Sequence, residues 1–128
     1  MDITLGEKKQ IIRDYFQAWL KPNIEVIKSI FDKNATYSEC YGPIYRNKKE
    51  IISWFEKWNK QGKVIAWPIE KILINENTCI VEWHFKCNYQ KKISEFDGVS
   101  IIDFNDQNKI ISVKEYQSKC QHYYPYSK

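Results

Sequence analysis

The chain has 128 residues, 43% of them hydrophobic and 16% aromatic, the size and composition of one domain spanning 1–128 with an ordinary core. Its formal charge of +4 rests on twenty cations of which only Arg13 and Arg46 are arginine; the lysines fall in scattered pairs with acids between them, so no nucleic-acid partner is expected. No apolar run approaches a membrane span, and Met1-Asp-Ile-Thr-Leu-Gly-Glu7 lacks the basic and apolar regions of a signal peptide, so the expected location is cytoplasmic, with no membrane partner.

Thr4-x-x-Glu7 reads as a capping box, after which Ile12, Tyr15, Phe16 and Trp19 recur at helical steps. They predict a first amphipathic helix ending near Lys21-Pro22. Asn23 caps a second, shorter helix with Ile24, Ile27 and Ile30 in one stripe. Residues 31–34 lead into an extended segment at 35–40, where Tyr37 and Glu39 face one way and Thr36 and Ser38 the other. Gly42-Pro43 turns the chain. Asn47-x-x-Glu50 then opens a third helix with Ile51, Ile52, Trp54, Phe55 and Trp58 inside, and Gly62 takes the place past a helix end that suits glycine.

From Lys63 the period changes to two. Residues 64–74 read as one strand with an edge or bulge at Pro68, followed by a turn at Asn75-Glu-Asn77. Cys79, Val81, Trp83, Phe85 and Cys87 alternate with Ile80, Glu82, His84, Lys86 and Asn88, which predicts a half-buried strand with His84 on its outer side. Residues 93–104 and 109–121 complete four long strands joined by short polar turns, hence antiparallel, with Asp97-Gly98 a bend within a strand rather than a hairpin. The fold class is α+β: a cone-shaped α+β barrel, with three N-terminal helices packed on a strongly curved, mainly antiparallel sheet whose concave face leaves space for an apolar pocket.

The four cysteines, Cys40, Cys79, Cys87 and Cys120, contain no Cys-x-x-Cys pair, so no metal is expected. Cys79 and Cys87 on one strand lie roughly 27 Å apart, and all four read as reduced thiols. There is no glycine-rich phosphate loop, Ser-His-Asp grouping or metal-binding helix motif, so no cofactor is expected. Glu39 is the residue that asks for an explanation. A carboxylate facing a core is costly unless it is hydrogen-bonded by Tyr15 or Tyr37, paired with Arg46, or partly protonated, and the last case tunes a general base. The aromatic residues of the concave face suit a flat, apolar or aromatic ligand.

Four stretches carry a family resemblance: Tyr15-Phe-Gln-Ala-Trp-Leu20, Ile30-Phe-Asp-Lys-Asn-Ala-Thr-Tyr-Ser-Glu39, Tyr45-Arg-Asn-Lys-Lys-Glu-Ile-Ile-Ser-Trp-Phe55, and the run from Ile101 to Tyr116. With their order along the chain they resemble the nuclear-transport-factor-2-like superfamily, the fold of ketosteroid isomerases and SnoaL-like polyketide cyclases. The resemblance implies Glu39 as a carboxylate base and Tyr15 as a donor to a substrate oxyanion. Ser100 falls where that family keeps an assisting acid and Phe55 where it keeps a supporting tyrosine, and both depart from the pattern. The resemblance also turns Ile111, Val113, Glu115 and Gln117 inward, making Glu115 a second acid. Expected ligand contacts are Trp19, Tyr37, Phe55, Trp58, Trp83, Phe85 and Val113. Ile80, Glu82, His84, Val99 and Ile101 share the outer face, which implies a homodimer. The implied function is cofactor-free isomerase, cyclase or dehydratase chemistry on a small hydrophobic carbonyl compound; the alternative is a ligand-binding or interaction module without turnover.

Overall fold

The computed structural model describes residues 3–126, with side chains from Gly6 onward. In chain order its elements are α1 (Ile3–Leu20), α2 (Ile24–Ile30), β1 (Phe31–Ser38), β2 (Ile44–Tyr45), α3 (Lys48–Gln61), β3 (Gly62–Ala66), β4 (Ile69–Asn75), β5 (Thr78–Tyr89), β6 (Lys92–Phe104) and β7 (Ile110–Ser118). The strands form one strongly curled sheet in the order β2-β1-β7-β6-β5-β3, with β4 also paired to β5. All pairings are antiparallel except β1 with β7, which is parallel, so the sheet is mixed. The three helices pack their aromatic and isoleucine stripes on its concave side. Ile12, Tyr15 and Phe16 of α1, Ile27 of α2, and Ile51 and Phe55 of α3 form one buried cluster with Val81 and Trp83 of β5 and Val113 of β7.

The helix starts follow their capping chemistry in two cases of three. Asn23 accepts the Glu25 amide at 3.2 Å and Asn47 the Glu50 amide at 2.9 Å. The expected return bond of the second capping box goes elsewhere, because the Glu50 carboxylate takes the Arg46 amide at 2.8 Å. At the first helix, Thr4 lies inside α1 rather than at its cap.

Four corrections to the sequence reading have local causes. β1 begins at Phe31, four residues early, because Asp32 accepts the Asn34 amide at 2.9 Å and makes an irregular start that still pairs Phe31 with Ile110. Residues 64–74 are two strands: the register slips between Val64 and Ala66, and Trp67-Pro68 leaves the ladder. That slip lets Val64 and Trp67 both face inward, where strict alternation would separate them. In β7 another slip makes Ile111 the extra residue between Ile110 and Ser112, so Ile110 is buried and Ile111 is exposed; Gln117 is exposed as well. Gly62, with φ −153°, is extended backbone that starts β3. What calls for glycine there is close approach, since a Cβ would stand 2.7 Å from the Tyr89 ring and 2.9 Å from the Asn88 carbonyl oxygen.

Asp97 and Gly98 lie within the unbroken strand β6, paired with His84 and Trp83 of β5. No helix among the described residues is long and apolar enough to cross a membrane.

Candidate functional site

The parallel pairing of β1 with β7 decides what the concave face can do. It sets Tyr37 beside Val113 and Ser38 beside Lys114. Continuing two residues along both strands brings Glu39, just past the end of β1, and Glu115 of β7 to the same side. Both acids line an aromatic pocket. Its narrow inner chamber, about 40 Å³, is walled by Trp19, Trp67, Trp83, Phe85, Phe96, Tyr37, Cys40 and Glu115. An outer vestibule of about 580 Å³ continues it past Tyr45, Ser53, Lys57, Tyr89 and Ser94. Glu39, Tyr41, Trp54 and Trp58 belong to both spaces. All five tryptophans of the chain touch the inner chamber.

The two carboxyl groups live in different surroundings. Glu115 accepts a short 2.5 Å bond from the Tyr37 hydroxyl, which in turn accepts one from Tyr15 at 2.9 Å. Part of Glu115 opens on the pocket, yet its carboxyl group is enclosed by protein. Loss of hydration pushes its pKa up to about 8, and nearby Glu39 adds to the rise while the Tyr37 hydrogen bond opposes it. At neutral pH Glu115 is therefore mostly a protonated acid. Glu39 is half-buried and accepts from Tyr45 at 2.8 Å. Desolvation holds its pKa above the ordinary value, and the Tyr45 bond offsets only part of that rise. Among the described residues no salt bridge joins an arginine to either acid, and Arg46 is engaged with Glu50 at 2.9 Å. The pairing of Glu39 with Arg46 that the sequence left open is absent among the described contacts.

The remaining expected site residues divide. Trp19, Tyr37, Trp58, Trp83 and Phe85 line the inner chamber. Phe55 and Val113 lie beneath it, 3% and 1% exposed, with Phe55 packed edge-on to Trp19 at 4.7 Å. Tyr15 is a layer deeper as well, its hydroxyl committed to Tyr37. Burial and then Glu115 hold the Tyr15 pKa well above its ordinary value. Ser100 is buried and accepts the Trp83 indole N–H at 2.9 Å, so it orients a wall residue instead of meeting the pocket.

Sequence reading missed Tyr45, the hydrogen-bond partner of Glu39, along with Cys40, Tyr41 and Phe96; Trp54 and Trp67 were singled out only as members of a tryptophan set that could converge on the concave face. Phe96 had a signal: it sits opposite Phe85 across β5 and β6 and shares its face. Cys40 touches the pocket, but burial, with Glu115 and Glu39 nearby, pushes its thiol up to about 12, so it supplies no thiolate at neutral pH. All four cysteines are free thiols.

On the outer side of the sheet His84 is held between two acids, Nδ1 at 2.7 Å from Asp97 and Nε2 at 2.7 Å from Glu95. Hydrogen bonds to Asp97 and then Glu95 raise its pKa above the ordinary value. With Glu95 and Cys120 it makes the single set among the described residues whose metal-ligating atoms lie within 4.8 Å of one another. Both imidazole nitrogens are already engaged by carboxylates.

Comparison with known proteins agrees with this architecture. An LEH-like epoxide hydrolase from Mycobacterium tuberculosis superposes with a TM-score of 0.79 at 10% identity, covering 88% of this chain and 84% of that one. An NTF-2 like protein of unknown function from Burkholderia xenovorans LB400 gives 0.77 at 16%, covering 98% and 93%. A protein with a ketosteroid isomerase-like fold from Catenulispora acidiphila, solved with trimethylamine, gives 0.74 at 15%, covering 86% and 85%. At such identities the likeness concerns the fold. No curated protein sequence matches the chain. The profile of the SnoaL-like domain matches residues 12–113, most of the chain. The protein belongs to the SnoaL-like domain family.

Proposed function

We propose that the chain is an enzyme performing cofactor-free acid/base chemistry on a small hydrophobic or aromatic carbonyl compound, with Glu39 as the base and Glu115 as the acid. One observation carries the reading: a single aromatic pocket holds two carboxyl groups, both raised by desolvation, of which the enclosed Glu115 is raised to about 8 and the half-buried Glu39 keeps a Tyr45 hydrogen bond that favours its charged form, an inequality that can divide acid and base roles. Glu39 takes a proton from the carbon beside the carbonyl. Glu115 gives a hydrogen bond, or its proton, to the oxygen on which charge develops. Tyr37 holds the other side of the Glu115 carboxyl and Tyr15 holds Tyr37, so the two tyrosines are positioning residues. Ser100 positions Trp83. Fold neighbours named an epoxide hydrolase and a putative polyketide cyclase are consistent with a small-molecule substrate in this fold.

The test needs no knowledge of the natural substrate. Aryl methyl ketones incubated in heavy water are expected to exchange the protons beside the carbonyl, followed by NMR, and Glu39→Gln is expected to slow this by about a hundredfold. The wild-type rate is expected to decline as pH rises through about 8, where Glu115 loses its proton. Ligand occupancy is read separately by quenching of tryptophan fluorescence, because every tryptophan lines the pocket. Undiminished exchange in Glu39→Gln removes Glu39 as the base. Quenching without exchange by any ketone favours a binding module instead.

We also propose that two copies pair through the outer face of the sheet. Leu73, Ile80 and Ile101 form one row across β4, β5 and β6, and Glu82, Val99 and Tyr116 the next across β5, β6 and β7. Leu73, Ile80 and Tyr116 are 55%, 40% and 56% exposed, an apolar strip that a second copy would cover. Sedimentation velocity is expected to show a dimer that Ile80→Glu dissociates; a monomer at the highest soluble concentration contradicts this.

A further inference from the structure

The ladder of the sheet gathers a second set of reactive side chains on the face away from the pocket. His84 of β5 stands opposite Asp97 of β6, and Asp97 opposite Ser118 of β7. Two residues further, with the same parity, come Glu95 of β6 and Cys120 just past the end of β7. The Cys120 thiol donates to the Glu95 backbone carbonyl at 3.6 Å. His84, Glu95 and Cys120 bring together one metal-ligating atom each, all within 4.8 Å of one another. The imidazole is oriented from both sides, with Nδ1 2.7 Å from Asp97 and Nε2 2.7 Å from Glu95. With its proton on Nδ1 and donated to Asp97, the ring offers a lone pair at Nε2, the carboxylate-backed histidine that metal centres use.

We propose that His84 Nε2, a Glu95 carboxylate oxygen and the Cys120 thiolate form a site for one divalent metal ion of zinc-like chemistry, with Asp97 orienting His84 and a fourth position open to water. Donor chemistry sets the metal. One nitrogen, one oxygen and one sulfur suit zinc, whereas magnesium and calcium want oxygen throughout. Charge agrees, since a carboxylate and a thiolate together balance a divalent ion. The ion takes the place of the proton between His84 and Glu95, and the thiol proton leaves to solvent. Distance sets how far the ligands move. On a tetrahedral zinc ion the nitrogen and oxygen stand about 3.3 Å apart, and the nitrogen and sulfur about 3.6 Å. The Glu95 side chain, 43% exposed, has room to withdraw by about half an ångström, and Cys120 closes in by about 1 Å from a segment beyond the last strand. Spacing along the chain gave no sign of the site, because positions 84, 95 and 120 meet only through the ladder of β5, β6 and β7. Bound there, the ion ties the segment after β7 to two neighbouring strands. The site lies beyond the row of Glu82, Val99 and Tyr116 on the outer face and is independent of the acid/base reading of the pocket.

The test uses the full chain, reduced, metal-stripped and without an affinity tag. Zinc chloride is expected to bind at one ion per chain with a Kd on the order of 1 µM. Cobalt chloride in its place is expected to give the charge-transfer absorption of a cobalt–thiolate bond. Cys120→Ser is expected to abolish that absorption, and Cys120→Ser and His84→Gln each to weaken zinc about a hundredfold. Asp97→Asn is expected to weaken it about tenfold with the thiolate absorption intact, as loss of an orienting partner does. His122→Gln is expected to change neither reading, although His122 lies two residues past Cys120. Zinc binding that does not saturate below about 100 µM overturns the site. So does a thiolate absorption that survives in Cys120→Ser, an unchanged affinity in His84→Gln, or a loss in His122→Gln as large as that in His84→Gln, which means chelation by the tail. The wild-type titrations with zinc and cobalt decide even where a variant does not fold.

Discussion

Glu115→Gln is expected to make the protein more stable at pH 8 and to leave it almost unchanged below pH 4.5. The direction is opposite to that of an acid in a salt bridge. Glu115 has an ordinary pKa of 4.5 in the unfolded chain and about 8 in the folded protein. Between those values the folded state binds a proton that the unfolded state has lost, so stability falls by about 1.4 kcal/mol per pH unit at most. The contribution is complete below pH 4.5 and gone once the pH has passed 8. Glutamine stays neutral throughout and still offers an acceptor to Tyr37. Allowing for the residual exposure of Glu115, the gap at pH 8 is on the order of 3 kcal/mol, about 10 °C in melting temperature for a chain of this length. Calorimetry of both proteins across pH 4 to 9 reads it directly. A gap that does not widen with pH means Glu115 is ionised at neutrality, and the acid role then falls with it. The same measurement bears on why the residue is kept: at neutral pH a glutamine folds better, so the acid earns its place through chemistry or binding.

Gly98→Ala is expected to cost about 3 kcal/mol, at the upper end of what overpacking usually costs, although Gly98 is not at a turn. A Cβ there would stand 2.6 Å from Tyr116's carbonyl oxygen and 2.6 Å from Trp83 Cζ3, closer still to Cη2. The Trp83 ring has nowhere to retreat. Its indole N–H is bonded to Ser100, and its faces and edges meet Trp67, Phe85 and Phe96. The carbonyl belongs to β7 backbone, held opposite β6 by the ladder. The change therefore strains the fold and the pocket wall together, and urea denaturation with parallel tryptophan emission spectra should report both. An unchanged midpoint would show that β6 and β7 separate more easily than their pairing suggests.

The contrast between these two sites shows what was readable in advance. The alternation from Cys79 to Cys87 made β5 legible, because a half-buried strand imposes period two on its residue types. The helix starts at Asn23 and Asn47 were legible from side-chain oxygens that the first amides require. Glu39 and Glu115 were legible as facing residues through family likeness. The larger upward shift at Glu115 was not, because it depends on enclosure and on hydroxyls from β1, β2 and α1, which meet only in three dimensions. Trp67 was hidden by a one-residue slip that reverses parity, and Ile111 was misplaced by the same kind of slip in β7. Gly62 and Gly98 looked like punctuation of the backbone. Both are clearances for rings on neighbouring strands, and a sequence does not record what stands opposite.

The parallel pairing of β1 with β7 joins segments near opposite ends of the chain, 31–38 and 110–118. Contacts of such long sequence separation carry a larger closure entropy than local ones. The pocket therefore hangs on one long-range seam as well as on local shape. The helices and the β5–β6 hairpin are held by local contacts, whereas the two acids meet only where β1 and β7 pair. Loosening of that seam alone would silence the site in an otherwise folded molecule.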